Sequence, residues 1–477
     1  MPDLPDARGA VIPEPDGGAA GIGVSGVEAG VSTLLDTIYR SHLREAARDA
    51  GGEDAGGEGA GGEWAAGPAL DRLHRRPERL LDLARRHDLI PDPDRVILVT
   101  GSKGKGSTAR LIAAGQTAAG RRTLLFTSPE DMTPLDRIRI DGTVIAPADA
   151  VGAFQMLAAG LRAVEASLPA GEALSPFGQF LLLALVHARR SAVDRLVLET
   201  GLGAADDEAG RLAAAIGVVT AILPEHLDRL GPGIDDVARA KLDIRHRCQR
   251  LILSDQADRA GRRAGIDTGG ARVVAPPVTM PGHAGHPPPW LAHNRAMALA
   301  ALAGDGIDPA APVVVAALDD AARGLPSWGE APWAGGIVAW EAAVQAASLD
   351  VPRLRWLAAR GFRALLSVTD DKDVAGLATS LAEAGLAPRG VVLAGRRGAL
   401  RAGAGAHRRL LALSQADGPL KAPALGPLDH DDVPAMARLL YDGAGMDDQR
   451  PVAGGKVIAI GTQSFVRLVR AAIRSGR

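Results

Sequence analysis

The sequence predicts an α/β protein, with an N-terminal P-loop-type domain built on a mostly parallel sheet and a smaller C-terminal Rossmann-like α/β domain. Three observations predict it. Short β-type apolar runs alternate with helical segments through most of the 477 residues, the pattern of strands buried in a parallel sheet. The alternation pauses around Pro326 and then resumes as a second, shorter set. The chain also exceeds one ordinary domain of about 100–200 residues.

Taken in order, residues 1–64 form a glycine-rich extension with one helix. Residues 1–27 carry Gly, Pro and Asp without periodicity and are expected to be disordered. An amphipathic helix follows from Val31 to about Asp49, and the Gly, Glu, Asp and Ala of Gly51–Glu63 read as a flexible insert. A second helical pattern runs from Ala69 to Arg86 and stops before the turn Pro91-Asp92-Pro93. The first domain, placed at 65–325, has expected strands at Val96–Val99, Thr123–Phe126, Leu196–Leu198, Val218–Ile222 and Arg250–Leu253. Its last part is a loop from Pro276 to Pro289 and helices over about Asn294–Leu302 and Ala311–Ala322. The second domain, 326–477, has expected strands at Ile337–Trp340, Ala364–Val368, Val391–Leu393 and Val457–Ile460, with the boundary near 323–330.

Composition narrows the function classes. With 54 basic and 56 acidic residues the net charge is −2, so no global field draws the chain to nucleic acid or an anionic membrane. Aromatic residues make up 3%, leaving few stacking platforms for unpaired bases. No apolar run approaches the roughly 20 residues of a membrane helix. The first residues show no basic start with an apolar signal core, and the single Cys248 excludes an internal disulfide or a multi-cysteine zinc site. Together these place the protein in the cytoplasm and disfavour nucleic acid and membrane as partners, with a protein partner left open.

Four chemistry-bearing loops each follow an expected strand. In open parallel sheets ligands bind at the carboxyl ends of strands, so the four should converge on one crevice. The first is Gly101-Ser102-Lys103-Gly104-Lys105-Gly106-Ser107-Thr108, before a helix from about Thr108. Its glycines let backbone N–H groups wrap a phosphate, and Lys105 can meet the outer phosphates. It departs from G-x-x-x-x-G-K-[ST], since Val99 stands at the first glycine and Gly106 follows the lysine, and a plain tight turn is the competing account. The second is Ser128, whose hydroxyl suits Mg²⁺ but also a turn or helix cap. The third is Glu199, placed like the acid that holds magnesium beside a phosphate loop. The fourth is His226, which alone reads equally as a hydrogen-bonded structural histidine. As a set they suggest a metal–triphosphate site. Lys241 is a fifth position, on the apolar stripe Ile234, Val237, Ala238 and Ile244 of an expected helix Ile234–Ile244. Two accounts stay open for it: a lysine that snorkels to solvent, or a desolvated amine, readily deprotonated and able to react with CO₂.

The order and spacing of these segments resemble folylpolyglutamate synthase and dihydrofolate synthase, members of the Mur ligase superfamily, from about Ala69 onward. The family G-T-N-G-K-G-S is similar to Gly101–Ser107, and T-S-P followed by R-I-R-I-N-G is similar to Thr127-Ser128-Pro129 and Arg137-Ile138-Arg139-Ile140-Asp141-Gly142. E-V-G-L-G-G-R-L-D-A-T-N resembles the segment from Glu199-Thr200-Gly201-Leu202-Gly203, with Asp207 at the D of D-A-T-N. L-D-H, L-G and E-K-A-G-I resemble Pro224-Glu225-His226, Leu230-Gly231 and Ala240-Lys241-Leu242-Asp243-Ile244. Asn294 stands where the family has an asparagine near adenine, Asp371-Lys372-Asp373 matches D-K-D, and Gly461-Thr462-Gln463-Ser464-Phe465 resembles the G-S-L-Y turn. The resemblance implies that Gly101–Thr108, Asn294, Asp371 and Lys372 bind ATP. It implies that Ser128, Glu199 and His226 hold Mg²⁺, and that Lys241 is a position often carbamylated to hold a second ion, with Lys105, His226 and Lys241 serving the chemistry. The implied reaction transfers the γ-phosphate to a carboxylate and joins the resulting acyl phosphate to an amine.

Departures from the family fall elsewhere. D-G-A-H-N-P is absent, the equivalent stretch reading Val338-Ala339-Trp340-Glu341-Ala342-Ala343; W-P-G-R is reduced to Leu325-Pro326-Ser327-Trp328; and the N of D-A-T-N is Gly210. The family's H-L-V-R-F-N-E-R has become Glu130-Asp131-Met132-Thr133-Pro134-Leu135-Asp136-Arg137, and two added carboxylates are expected to repel an anionic folate. The leading reading is an ATP-dependent amide ligase with a non-folate carboxylate. The alternative, favoured by the lost D-G-A-H-N-P, is a catalytically impaired nucleotide-binding homologue serving as a partner or regulatory subunit. A third, an unrelated P-loop kinase or GTPase, is disfavoured by Lys241 and by Asp371-Lys372-Asp373.

Overall fold

The structure, a computed structural model, describes residues 24–51, 76–169, 172–277, 288–343, 345–368, 373–386, 388–394, 425–429, 432–443, 446–447, 450–451 and 455–475. The expected flexible insert and the Asp371-Lys372 pair lie outside the described residues.

The first sheet has eight strands: β1 (Val96–Thr100), β2 (Thr123–Phe126), β3 (Ile138–Ile140), β4 (Thr143–Val144), β5 (Arg195–Glu199), β6 (Ala214–Val219), β7 (Cys248–Ser254) and β8 (Arg272–Val274). Their spatial order is β4-β3-β2-β5-β1-β6-β7-β8. Only the β2–β3 and β3–β4 pairs are antiparallel. β1 and β6 are buried along their whole length, as two-sided cover requires of a parallel strand.

The cover divides by face. Against one side pack α1 (Val24–Gly51), α2 (Pro77–Arg86), α4 (Pro147–Ala166) and α5 (Pro176–Arg190), through residues such as Leu34, Leu80, Leu157 and Phe180. Against the other pack α3 (Lys105–Ala118), α9 (Pro289–Gly304) and α10 (Pro312–Arg323), through Leu111, Met297 and Leu318. Between β6 and α9 come α6 (Leu227–Leu230), α7 (Ile234–Leu242) and α8 (Asp255–Arg263).

The second sheet comprises β9 (Trp328–Trp333), β10 (Gly336–Ala342), β11 (Phe362–Ser367), β12 (Pro388–Ala394), β13 (Leu425–Asp429) and β16 (Lys456–Gly461), in the order β13-β12-β11-β16-β10-β9. A separate ribbon is formed by β14 (Met446–Asp447) and β15 (Arg450–Pro451). β9 alone runs antiparallel, on the edge, where its Pro332 is tolerated. On one face lie α11 (Val351–Ala359) and α12 (Val374–Glu383), on the other α13 (Val433–Gly443) and α14 (Gln463–Ser475).

Several expected bounds shift. Residues 24–27, expected to be disordered, open α1. The strand expected at Val218–Ile222 is Ala214–Val219 instead, because Ala214, Ala215 and Gly217 are drawn into the sheet by burial despite weak β propensity. α3 begins at Lys105 rather than Thr108, since Gly104 takes a left-handed φ of 91° at its N-cap. α7 stops at Leu242, two residues before the expected end, and continues as a short 3-10 turn.

A candidate nucleotide and metal site at four neighbouring strand ends

β2, β5, β1 and β6 are consecutive in the first sheet, so the loops after Phe126, Glu199, Thr100 and Val219 open side by side. Those are the four loops that carry Ser128, Glu199, the glycine-rich turn and His226.

The turn is fixed along one edge. Lys103 forms an isolated bridge with Ala221, and the Ser102 N–H donates to the Ala221 carbonyl at 2.6 Å. The Ser102 hydroxyl donates to the Leu223 carbonyl (3.1 Å) and accepts from the Leu223 N–H (2.9 Å), so it braces the turn. Gly101 has φ 134°. A Cβ on Gly104 would stand 2.5 Å from Asn294 Oδ1, and one on Gly106 would stand 3.1 Å from Glu199 Oε2. These glycines therefore let Asn294 and Glu199 close on the turn from two sides.

Glu199 ends β5 and is 3% exposed. Burial raises its pKa above the ordinary carboxylate value, with the Lys105 charge and the Ser128 N–H, which donates to Oε2 at 2.9 Å, acting against that rise. Ser128 thus meets Glu199 through its backbone N–H. His226 adopts φ 49°, uncommon for a residue with a side chain, and caps α6. Its carbonyl accepts from Arg229 and Leu230 N–H.

Lys241 is 1% exposed, which rules out the snorkelling account. Its amine donates to the Gly101 carbonyl (2.9 Å) and pairs with Glu225 Oε1 (2.8 Å), tying α7 to the turn. Burial draws its pKa down to about 8, opposed by Glu225. Asp207 accepts from Gly201 N–H (2.9 Å) and Gly210 N–H (2.7 Å), so it shapes the loop after β5.

Among the described residues, buried Asn294 Nδ2, beside Gly104, has no hydrogen-bond partner, and neither do the hydroxyls of Thr108 and Thr127, so each can still receive one. Among the described residues no three His, Cys, Asp or Glu side chains gather as a ready cage for an ion. Magnesium is commonly held by one or two carboxylates with waters and substrate phosphates, and Glu199 beside the glycine-rich turn fits that mode.

Both sheets meet here. Lys103 Nζ donates to the Ala342 carbonyl (2.7 Å) and Ser348 Oγ (3.1 Å), beyond the end of β10. Trp290 Nε1 donates to Glu341 Oε1 (3.3 Å), and Arg353 pairs with its other oxygen (3.1 Å). Glu130 is paired with Arg137 (2.6 Å) and with Arg467 of α14 (3.3 Å), and Asp131 with Arg470. The two carboxylates expected to repel an anion are therefore neutralised by arginines. Sequence reasoning missed this contact, although Arg467 and Arg470, three residues apart on one helix, offered a matching basic face.

No family model matches the chain. It is 33% identical over 165 residues to a dihydrofolate synthase/folylpolyglutamate synthase of Mycobacterium tuberculosis, covering 33% of this chain and 34% of that protein. To the protein of the same description from Escherichia coli it is 28% identical over 167 residues, 35% of this chain and 38% of the other. The matched stretch thus spans little more than a third of these curated relatives. In three dimensions it superposes on M. tuberculosis folylpolyglutamate synthase complexed with ADP, with TM-score 0.66, 24% identity, and 94% of this chain and 99% of the other covered. Over that third of its length the chain is similar in sequence to the folylpolyglutamate synthases, and it shares their fold. A second structure, the bifunctional folylpolyglutamate synthase/dihydrofolate synthase of Yersinia pestis complexed with AMPPNP and Mn ion, gives TM-score 0.60 at 21% identity, with 87% and 100% covered. These relatives share the α/β architecture of a large, mostly parallel sheet joined to a smaller one.

Proposed function

We propose that the chain is an ATP-dependent carboxylate–amine ligase, working with Mg²⁺ at the ends of β1, β2, β5 and β6. The observation that carries this reading is the glycine turn with Glu199 and the unpaired Asn294 amide closing on it. The ADP and AMPPNP–Mn complexes named for two structural relatives support it.

ATP supplies the γ-phosphate that turns a carboxylate, a poor electrophile, into an acyl phosphate open to attack by an amine. The chain's residues provide placement and charge. Lys105 and the amides at the start of α3 receive phosphate oxygens. Glu199, oriented by the Ser128 N–H, would be the anionic side chain that holds the ion, and His226 and the Ser128 hydroxyl would supply further ligands. The Asn294 amide meets the nucleotide beside Gly104. By the D-K-D resemblance, Asp371 and Lys372 of the second domain, 326–477, are further nucleotide-binding residues.

Lys241 carries the finer reading of a second ion. An amine drawn down to about 8 is neutral often enough near neutral pH to add CO₂, losing one proton and gaining a carbamate. Glu225 must then move from its place against Nζ. A labile mass increase of one CO₂ in native mass spectrometry, absent in Lys241→Ala, would establish the carbamate.

The substrate is proposed to be a non-folate carboxylate. Support comes from the segment after Pro129, where Glu130–Arg137 differ from the family's H-L-V-R-F-N-E-R. Mass spectrometry of products formed from Mg-ATP and pooled carboxylates and amines tests this. An ATP-dependent amide on a compound other than folate supports it, and efficient glutamate addition to folate refutes it. Calorimetry with Mg-ATP tests the nucleotide site: absence of binding in the intact chain would sink the reading, and binding lost in Lys105→Ala supports it.

A further inference from the structure

Lys103 stands where the related motif G-T-N-G-K-G-S has asparagine, and its charge is spent outside the turn. Its backbone is bound to Ala221 on the β6 side, which leaves the side chain free to cross to the second sheet. There Nζ has two acceptors, the Ala342 carbonyl at 2.7 Å and Ser348 Oγ at 3.1 Å. Both stand on firm backbone. Ala342 N–H donates to the Ser327 carbonyl (2.6 Å), Ala343 N–H to the Gly461 carbonyl (2.9 Å), and Ser348 Oγ donates to the Gln345 carbonyl (2.7 Å). The carboxylates of Glu341 and Glu225 lie close enough to attract the ammonium. Gln345 reaches back from the same turn to the Pro224 carbonyl, beside Glu225.

We propose that Lys103 is a positioning residue that ties the nucleotide turn to the end of β10, so that the conformation of the turn and the placement of the second sheet change together. In this chain one contact between the sheets starts from the glycine-rich turn itself, beside those of Glu341 with Trp290 and of Glu130 and Asp131 with Arg467 and Arg470. Lys105, two residues on and at the head of α3, remains for phosphates. This inference rests on the nucleotide-binding reading for its consequence but not for the tie itself.

The test uses the full chain as Lys103→Ala, Lys103→Arg and Lys105→Ala, with circular dichroism confirming the fold of each. Mg-ADP affinity is measured by calorimetry, the radius of gyration by small-angle scattering, and cleavage between Arg323 and Trp328 by limited proteolysis, with and without Mg-ADP. Lys103→Ala should keep Mg-ADP affinity within about threefold of the parent while Lys105→Ala loses about tenfold or more, the loss expected from one charge-assisted phosphate contact. Lys103→Ala should also expand the chain, speed linker cleavage and uncouple compaction from Mg-ADP, and Lys103→Arg should restore all three. Loss of Mg-ADP affinity in Lys103→Ala equal to that of Lys105→Ala would make Lys103 a phosphate ligand and overturn the proposal. Parent-like compaction and cleavage would overturn it as well. If the parent itself binds no Mg-ADP, the nucleotide reading fails, while the ligand-free scattering and cleavage still decide whether Lys103 ties the sheets.

Discussion

Glu199 combines two demands that oppose each other, burial and negative charge. Because burial already favours its neutral form, Glu199→Gln should cost little stability, and the amide oxygen can still accept from the Ser128 N–H. Mg-dependent nucleotide turnover should nevertheless disappear, since one anionic ligand is gone; unchanged turnover with ordinary magnesium dependence would refute the assignment. Gly104 meets a steric demand instead. Alanine there would hold φ near 91° and push a Cβ to 2.5 Å from Asn294 Oδ1, so Gly104→Ala should cost about 1–3 kcal/mol in strain and displace the Asn294 amide. Melting and Mg-ADP calorimetry together would show it, with the larger relative loss in affinity.

At the scale of elements, β10 shows how a strand end serves both sheets. Glu341 is fully buried and holds Arg353 of α11 and Trp290 of α9. Glu341→Ala strands a guanidinium and an indole N–H, and should cost about 3 kcal/mol or more in urea unfolding. A loss below about 1 kcal/mol would mean that water replaces the carboxylate at no cost. Of the strands carrying the first-sheet site, β1, β2 and β5 were legible because each is a short apolar run ending in a polar turn, whereas β6 was placed too late because Ala214, Ala215 and Gly217 carry little β signal. β9 was not, since Gly329 and Pro332 disguise an edge strand whose pairing with β10 is set in three dimensions. Likewise Lys241 was legible as a charge on an apolar stripe, whereas its partner Glu225 was not, because a turn and a helix apart in sequence become neighbours only once α7 packs.

For the whole molecule, buried ionisable groups set the response to alkali. Lys103 and Lys241 are each drawn by burial from 10.5 to about 8. Between pH 8 and 10.5 the unfolded chain holds protons that the folded chain has lost, so stability should rise with pH across that window from these two groups. Burial raises the Cys248 thiol from 9.0 to about 11, so the folded chain keeps that proton longer and stability should fall between pH 9 and 11 from this one. Urea unfolding at pH 8 and 10 should show a smaller gain in Lys241→Met and a larger one in Cys248→Ser than in the parent. The interleaved strand order has a further consequence during synthesis. β5 enters between β2 and β1, and β6 closes on β1 from the other side. A nascent chain released only as far as α5 holds the turn and Ser128 but no Glu199, so the crevice comes into being late. Ribosome-tethered chains of increasing length should gain nucleotide-dependent protease resistance only after β6 and α7 emerge, which makes ligand capture a checkpoint on completed translation of the first sheet.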